Sequence, residues 1–198
     1  MNLSKRLKII FLLLAAAVLA FVFMDFHLAK SVTNTDTNSS RANTQIPADY
    51  QPWGTALYIV PAQNDPLTRT MAEAIYQKAK DSEYFSPILM ESMPQNGPYP
   101  ILLVGVTGNR YFWTPFFAKS SLTIQYAFSN FETLTSLDGP KTVMLRNDGE
   151  QPAIHADGEV VQRDQSFGLI SLAGYRGLVC DLAARTIIKD LELTIQAK

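Results

Sequence analysis

The chain has 198 residues, 47% of them hydrophobic, and a net charge of −1. Its charges are interspersed, and no basic stripe of the kind that nucleic acid requires is present. The single cysteine, Cys180, excludes an internal disulfide, and it lies too far along the chain to be the acylated residue of a lipoprotein.

The first element is apolar throughout. Ile9 to Met24 carries no polar side chain, with Lys5, Arg6 and Lys8 before it and Asp25 after it. As a helix this stretch covers roughly 24 Å of a hydrocarbon core about 30 Å thick, and Leu7 and residues 26–29 supply the missing turns. The basic cluster predicts a single-pass membrane anchor through residues 9–24, with Met1 cytoplasmic and the rest extracytoplasmic. The alternative is a signal peptide cleaved after Ala20, at the small-residue end of Val18-Leu19-Ala20, which would release a secreted domain.

Ser31 to Gln45 reads SVTNTDTNSSRANTQ, ten of whose fifteen residues are Ser, Thr or Asn. Such a composition buries little apolar surface, so it is expected to be a flexible tether. The expected division is 1–29 for the cytoplasmic tip and anchor, 30–52 for the linker, and 53–198 for one folded domain. That length suffices for a real core.

Within the domain, Ala56 to Val60 is apolar on both faces and predicts a central strand. Asn64-Asp65-Pro66 is a helix start, and Leu67, Met71, Ala74 and Ile75 continue it as an amphipathic helix over 66–80. Strands follow at Phe85–Met90 and Ile101–Val106. Ser120–Ser129 alternates most regularly, with Leu122, Ile124, Tyr126 and Phe128 on one side. A short strand at Thr142–Leu145 and a weaker one at Ala153–Gln162 lie between turns at Asp138-Gly139-Pro140 and Asn147-Asp148-Gly149. Leu172–Leu193 closes the chain as a helix. The order β-α-β-β-β-β-β-α predicts an α+β fold: a mixed, mostly antiparallel sheet of five to six strands, two helices on one face, and the transmembrane helix in front.

No motif names a reaction. The residues before Cys180 are Arg176-Gly177-Leu178-Val179 on a helical pattern, unlike the strand-end nucleophile of sortases, so a buried inert thiol is expected. No serine stands in a G-x-S-x-G frame. Val104-Gly105-Val106-Thr107-Gly108 lacks the rest of a phosphate loop. His155, Asp157 and Glu159 alternate and would share one face of a strand. They are the alternative polar site, for an envelope hydrolase, and neither a metal nor a cofactor is expected. The binding candidate is Tyr111, Phe112, Trp113, Phe116 and Phe117, an aromatic run broken by Pro115 that either packs inward or forms a docking patch for a protein partner or a membrane. Arg163 to Ser171 reads as a loop leading into the last helix.

The first strand, the helix bearing Met71-Ala72-Glu73-Ala74-Ile75, the meander and the closing helix resemble small bacterial envelope modules: the lipopolysaccharide-assembly lipoprotein and the amino-terminal domain of the translocation protein of the Tol system. The resemblance spans residues 54–195 in element order, without the acylated cysteine of the lipoprotein. It implies a binding or assembly role rather than catalysis, and it carries no residue over as functional.

Overall fold

The structure is a computed structural model that describes residues 3–43, 55–82, 84–92, 100–131, 134, 137 and 153–196. Helix α1 spans Leu3–Phe23, and its Arg6–Phe23 segment has a mean hydropathy of 2.4 with none of it buried, long and apolar enough to cross a membrane. The remaining elements are β1 (His27–Asn43), β2 (Thr55–Pro61), α2 (Pro66–Asp81), β3 (Phe85–Leu89), β4 (Ile101–Thr114), β5 (Phe117–Ser129), β6 (Ile154–Ile170) and α3 (Leu172–Gln196). They build one six-stranded mixed sheet in the order β1-β6-β5-β4-β2-β3.

The α+β expectation holds. β2 runs parallel to both β3 and β4, and every other pairing is antiparallel. The parallel β2–β3 pair needs a crossover, and α2 supplies it. Asp65 caps α2 by accepting from the Leu67 and Thr68 amides at 3.0 Å each, with Pro66 in the first turn. Burial pushes the Asp65 carboxyl up, but the hydrogen bonds from Thr68 and Leu67 outweigh it and hold the group below its ordinary value. Pro87 lies in β3, at the sheet edge, where its missing N–H costs no central ladder bond.

Both α2 and α3 lie on one face of the sheet. Met71, Ile75 and Ala79 of α2 and Tyr175, Val179, Ile187 and Leu191 of α3 bury against Leu57, Ile59, Leu102, Val104, Ile124 and Tyr126. The opposite face holds a smaller cluster of Val60, Ile101, Leu103 and Ala127, closed by Leu134. The expected strand at Thr142–Leu145 and the turns at 138–140 and 147–149 lie outside the described residues.

Two expectations are corrected. The larger concerns the tether. Residues 27–43 are β1, which pairs with β6 in unbroken antiparallel register from His27↔Ile170 to Asn43↔Ile154. The stretch needs no apolar face because its inward side chains are matched to polar partners. Ser31 Oγ meets Ser166 Oγ at 2.7 Å, Thr33 donates to Asp164 at 2.7 Å, and Thr35 donates to Gln162 at 2.6 Å. Gln162, Asp164 and Ser166 are all buried. Buried polar groups must be satisfied, and β1 supplies the hydroxyls.

The second correction follows from the first. Arg163–Ser171 is not a loop, because β6 continues to Ile170 with Gln162, Asp164 and Ser166 facing inward. The break expected at Pro115 is present: β4 ends at Thr114, and Pro115 with Phe116 forms the turn of the β4–β5 hairpin, where Thr114 faces Phe117.

No slack joins α1 to this body. The Phe26 carbonyl accepts from the Ser171 amide at 3.1 Å and from Ser171 Oγ at 3.0 Å, while the Phe26 amide donates to Ser171 Oγ at 3.1 Å. Ser171 Oγ also accepts from the Gly174 amide at 2.9 Å, capping α3. A Cβ on Gly174 would stand 2.5 Å from the Phe26 carbonyl oxygen, so only glycine lets the two backbones approach this closely. Met24 and Asp25 alone separate the end of α1 from this clamp.

Candidate binding face

Strand register sorts the aromatic run. Tyr111 and Trp113 point to the helix side and pack partly buried against the main core. The Trp113 indole N–H donates to the Ile170 carbonyl at 3.2 Å, and the Tyr111 ring lies 5.3 Å from that of Tyr175, with the Arg176 guanidinium over it at 5.8 Å. Phe112, one residue from each of these neighbours, points outward and is 56% exposed; Phe116 at the turn is 68% exposed. Phe117 also faces outward and bridges two exposed rings, at 5.9 Å from Phe112 and 5.0 Å from Phe167. The five candidates thus divide between core and surface, because alternation along a strand sends neighbours to opposite faces. Phe167 completes the surface set. It lay hidden in sequence because about fifty residues separate it from the aromatic run it joins.

Behind these rings the outer face, the one away from α2 and α3, is concave and cationic. A groove of about 1260 Å³ is lined by Phe112, Lys119, Ser121, Arg110, Arg163 and Asn34, among others. Rows across the sheet explain the set. Phe112 pairs with Lys119, which pairs with Gln165 and then Val32, while Arg110 pairs with Ser121, then Arg163, then Asn34. Asp36 forms an ion pair with Arg163. Among the described residues, no ion pair involves Arg110 or Lys119, so with Asp164 as its acidic lining residue the groove still carries net positive charge on a chain that is acidic overall.

His155, Asp157 and Glu159 do share one face of β6, as alternation requires, with His155 Nε2 3.7 Å from an Asp157 carboxylate oxygen. His155 is buried. Asp157 accepts from Ser40 at 2.5 Å, and Glu159 accepts from Gln125 at 3.3 Å. None of the three lines the groove. No group of three His, Cys, Asp or Glu side chains among the described residues is placed to hold a metal.

The inner face holds a polar centre that sequence reading missed. Asp190 of α3 is 9% exposed and accepts from Arg41 at 2.7 Å, from Ser39 at 3.3 Å and from the Tyr126 hydroxyl at 2.5 Å. Tyr175 donates to Ser120 at 3.0 Å. These groups tie the sheet to α3 and hold the fold together; among them only Ser120 also lines the groove.

Solved structures resemble the chain distantly. No protein-family model and no curated protein matches it. PelC from Paraburkholderia phytofirmans, a dodecamer in space group P6, is 8% identical over 75% of this chain and 96% of its own, with a TM-score of 0.38. The hypothetical protein CT253 from Chlamydia trachomatis is 12% identical over 74% of this chain and 99% of its own, with a TM-score of 0.40. Neither likeness assigns a function.

Cys180 is fully buried in α3, and burial pushes its thiol from 9.0 up to about 12. Burial likewise raises the phenols of Tyr111, Tyr126 and Tyr175 above 10.0, with the Asp190 carboxylate adding to the effect at Tyr126. The folded chain therefore keeps protons that the unfolded chain releases from pH 9.0 upward. Stability from these groups is complete below that pH and is lost as the pH climbs toward 12. Urea midpoints measured at rising pH should fall above pH 9.0, the ordinary value of the thiol. A thiol reagent should label Cys180 only after unfolding; rapid labelling of the native protein would contradict this burial.

Proposed function

We propose that the protein is a membrane-tethered extracytoplasmic binding or assembly module whose outer sheet face receives an acidic segment of a protein partner. The supporting observation is the groove, which gathers Arg110, Lys119 and Arg163 beside exposed aromatic rings on an otherwise acidic domain. Such a surface attracts negative charge from a distance and offers rigid rings for contact. The location draws on Lys5, Arg6 and Lys8, which precede the apolar run and favour a cytoplasmic Met1. The role draws on the likeness in element order over residues 54–195 to small envelope modules.

A hydrolase built on His155 is the alternative. It is less well supported, because the carboxylates of Asp157 and Glu159 are already engaged by Ser40 and Gln125.

A photoreactive residue at Ser121, in the groove, tests the reading in intact cells. It should give one dominant protein adduct, lost when Arg110→Glu is added. The same probe at the exposed Lys189 of α3 should give none. Equal adducts at both positions, or none at Ser121, would remove the proposal.

A further inference from the structure

We propose that the end of the outer sheet face nearest α1 is a lipid-docking surface, seated on the anionic headgroup layer of the bilayer that α1 enters. The proposal rests on α1 being a retained span. It goes beyond partner binding, whose groove shares Phe112 and Lys119 with this end and continues away from it to Arg110, Ser121 and Arg163.

Position is the first argument. Phe23 ends α1 and Phe26 is already fixed to Ser171 of the domain, a gap that an extended chain spans in at most about 10 Å. His27 pairs with Ile170, the Ile170 amide donates to the Pro115 carbonyl at 3.0 Å, and the Gly168 amide donates to the Phe116 carbonyl at 3.0 Å. The hairpin turn, the end of β6 and the start of β1 therefore meet at one edge of the molecule, beside the exit of the helix.

The second argument is the order of side chains leading away from that edge. Leu28, 74% exposed, and Phe116, 68% exposed, stand at the tip. Phe167 and Lys30, paired across the β1–β6 ladder, form the next row, and Phe112 and Lys119, paired across β4–β5, the one behind. Bare apolar groups come first and cations follow. This is the sequence a headgroup region demands, with rings at the acyl boundary and lysines reaching phosphates. A soluble face of this size rarely leaves such a contiguous patch uncovered. Asp36, the acidic residue of β1 on this face, lies in a row beyond Arg163 and is paired with it. Anionic lipid thus meets cations where the face approaches the membrane.

The test uses the full chain in vesicles of phosphatidylcholine with phosphatidylglycerol. A nitroxide is attached at Phe116→Cys, and in a second protein at Lys189→Cys, which stands about 25 Å along α3 from its first residue. Cys180 is buried and should not react. The label at 116 should be more accessible to oxygen than to a water-soluble nickel chelate, and the label at 189 the reverse. Lys30→Glu with Lys119→Glu should abolish the oxygen preference at 116 while leaving the thermal transition unchanged.

A chain that floats with vesicles yet shows water-like exposure at 116 would overturn docking and leave the anchor standing. A chain that does not float would overturn both. Spin–spin broadening at 116 would show that a second copy, rather than lipid, covers the patch. Crosslinking at Ser121 is independent of each of these results.

Discussion

A fragment of residues 53–198 is expected to lose its cooperative thermal transition, whereas a fragment of residues 26–198 retains one. The shorter piece matches the domain that composition alone delimits. It lacks β1 and leaves all seventeen residues of β6 without a partner on that side. Asp164 and Ser166 would lose the hydroxyls of Thr33 and Ser31, and Gln162 that of Thr35. Each buried polar group stripped of its partner costs about 1–3 kcal/mol, so the three together rival the whole stability of an ordinary domain. The bared strand is also a template for aggregation. Circular dichroism melts of the two fragments decide the matter. Transitions within about 2 °C of each other would restore the flexible-tether reading.

Replacing Asp190 with Ala is expected to destabilise the full domain by about 2–4 kcal/mol in urea denaturation. The substitution removes the acceptor of the buried Tyr126 hydroxyl and the counter-charge of Arg41 together. Asp190→Asn keeps an acceptor for Tyr126 and should cost less than half as much. Arg41→Ala should cost less still, since that side chain is 36% exposed and partly screened by water. A loss below about 0.5 kcal/mol for Asp190→Ala would place the residue on a solvated surface instead.

These two experiments fall where sequence reading was weakest, and the reason is physical. Hydrophobic periodicity finds elements that bury apolar groups, and it located β2, α2, β5 and α3 because Leu57, Ile75, Ile124 and Val179 enter the main core. β1 and the second half of β6 bury hydroxyl, amide and carboxyl groups against one another, so neither carries an apolar stripe. A signal did exist. Ser31, Thr33, Thr35, Thr37 and Ser39 alternate at period two, and Gln162, Asp164 and Ser166 answer at the same period. Reading it requires knowing that the two segments face each other, a pairing about 130 residues apart that no local window contains.

The candidate surface was half legible. The cluster from Tyr111 to Phe117 announced itself by composition, but its division between core and solvent depends on the hairpin turn at Pro115. Arg110 and Lys119 flank the cluster on its own two strands, but Phe167 and Arg163 arrive from β6.

The clamp at Phe26 changes how far the domain can travel. A fifteen-residue flexible leash would let it wander about 20 Å from the end of its helix, while the two free residues before Phe26 allow about 10 Å. With α1 in a bilayer, encounters with a membrane-bound neighbour become a search in two dimensions at nearly fixed height. The local concentration of such a neighbour then depends on its density in the membrane, so even weak contacts can be occupied. A partner whose site stands well above the membrane must bring that site down to the surface, because this domain cannot rise to meet it.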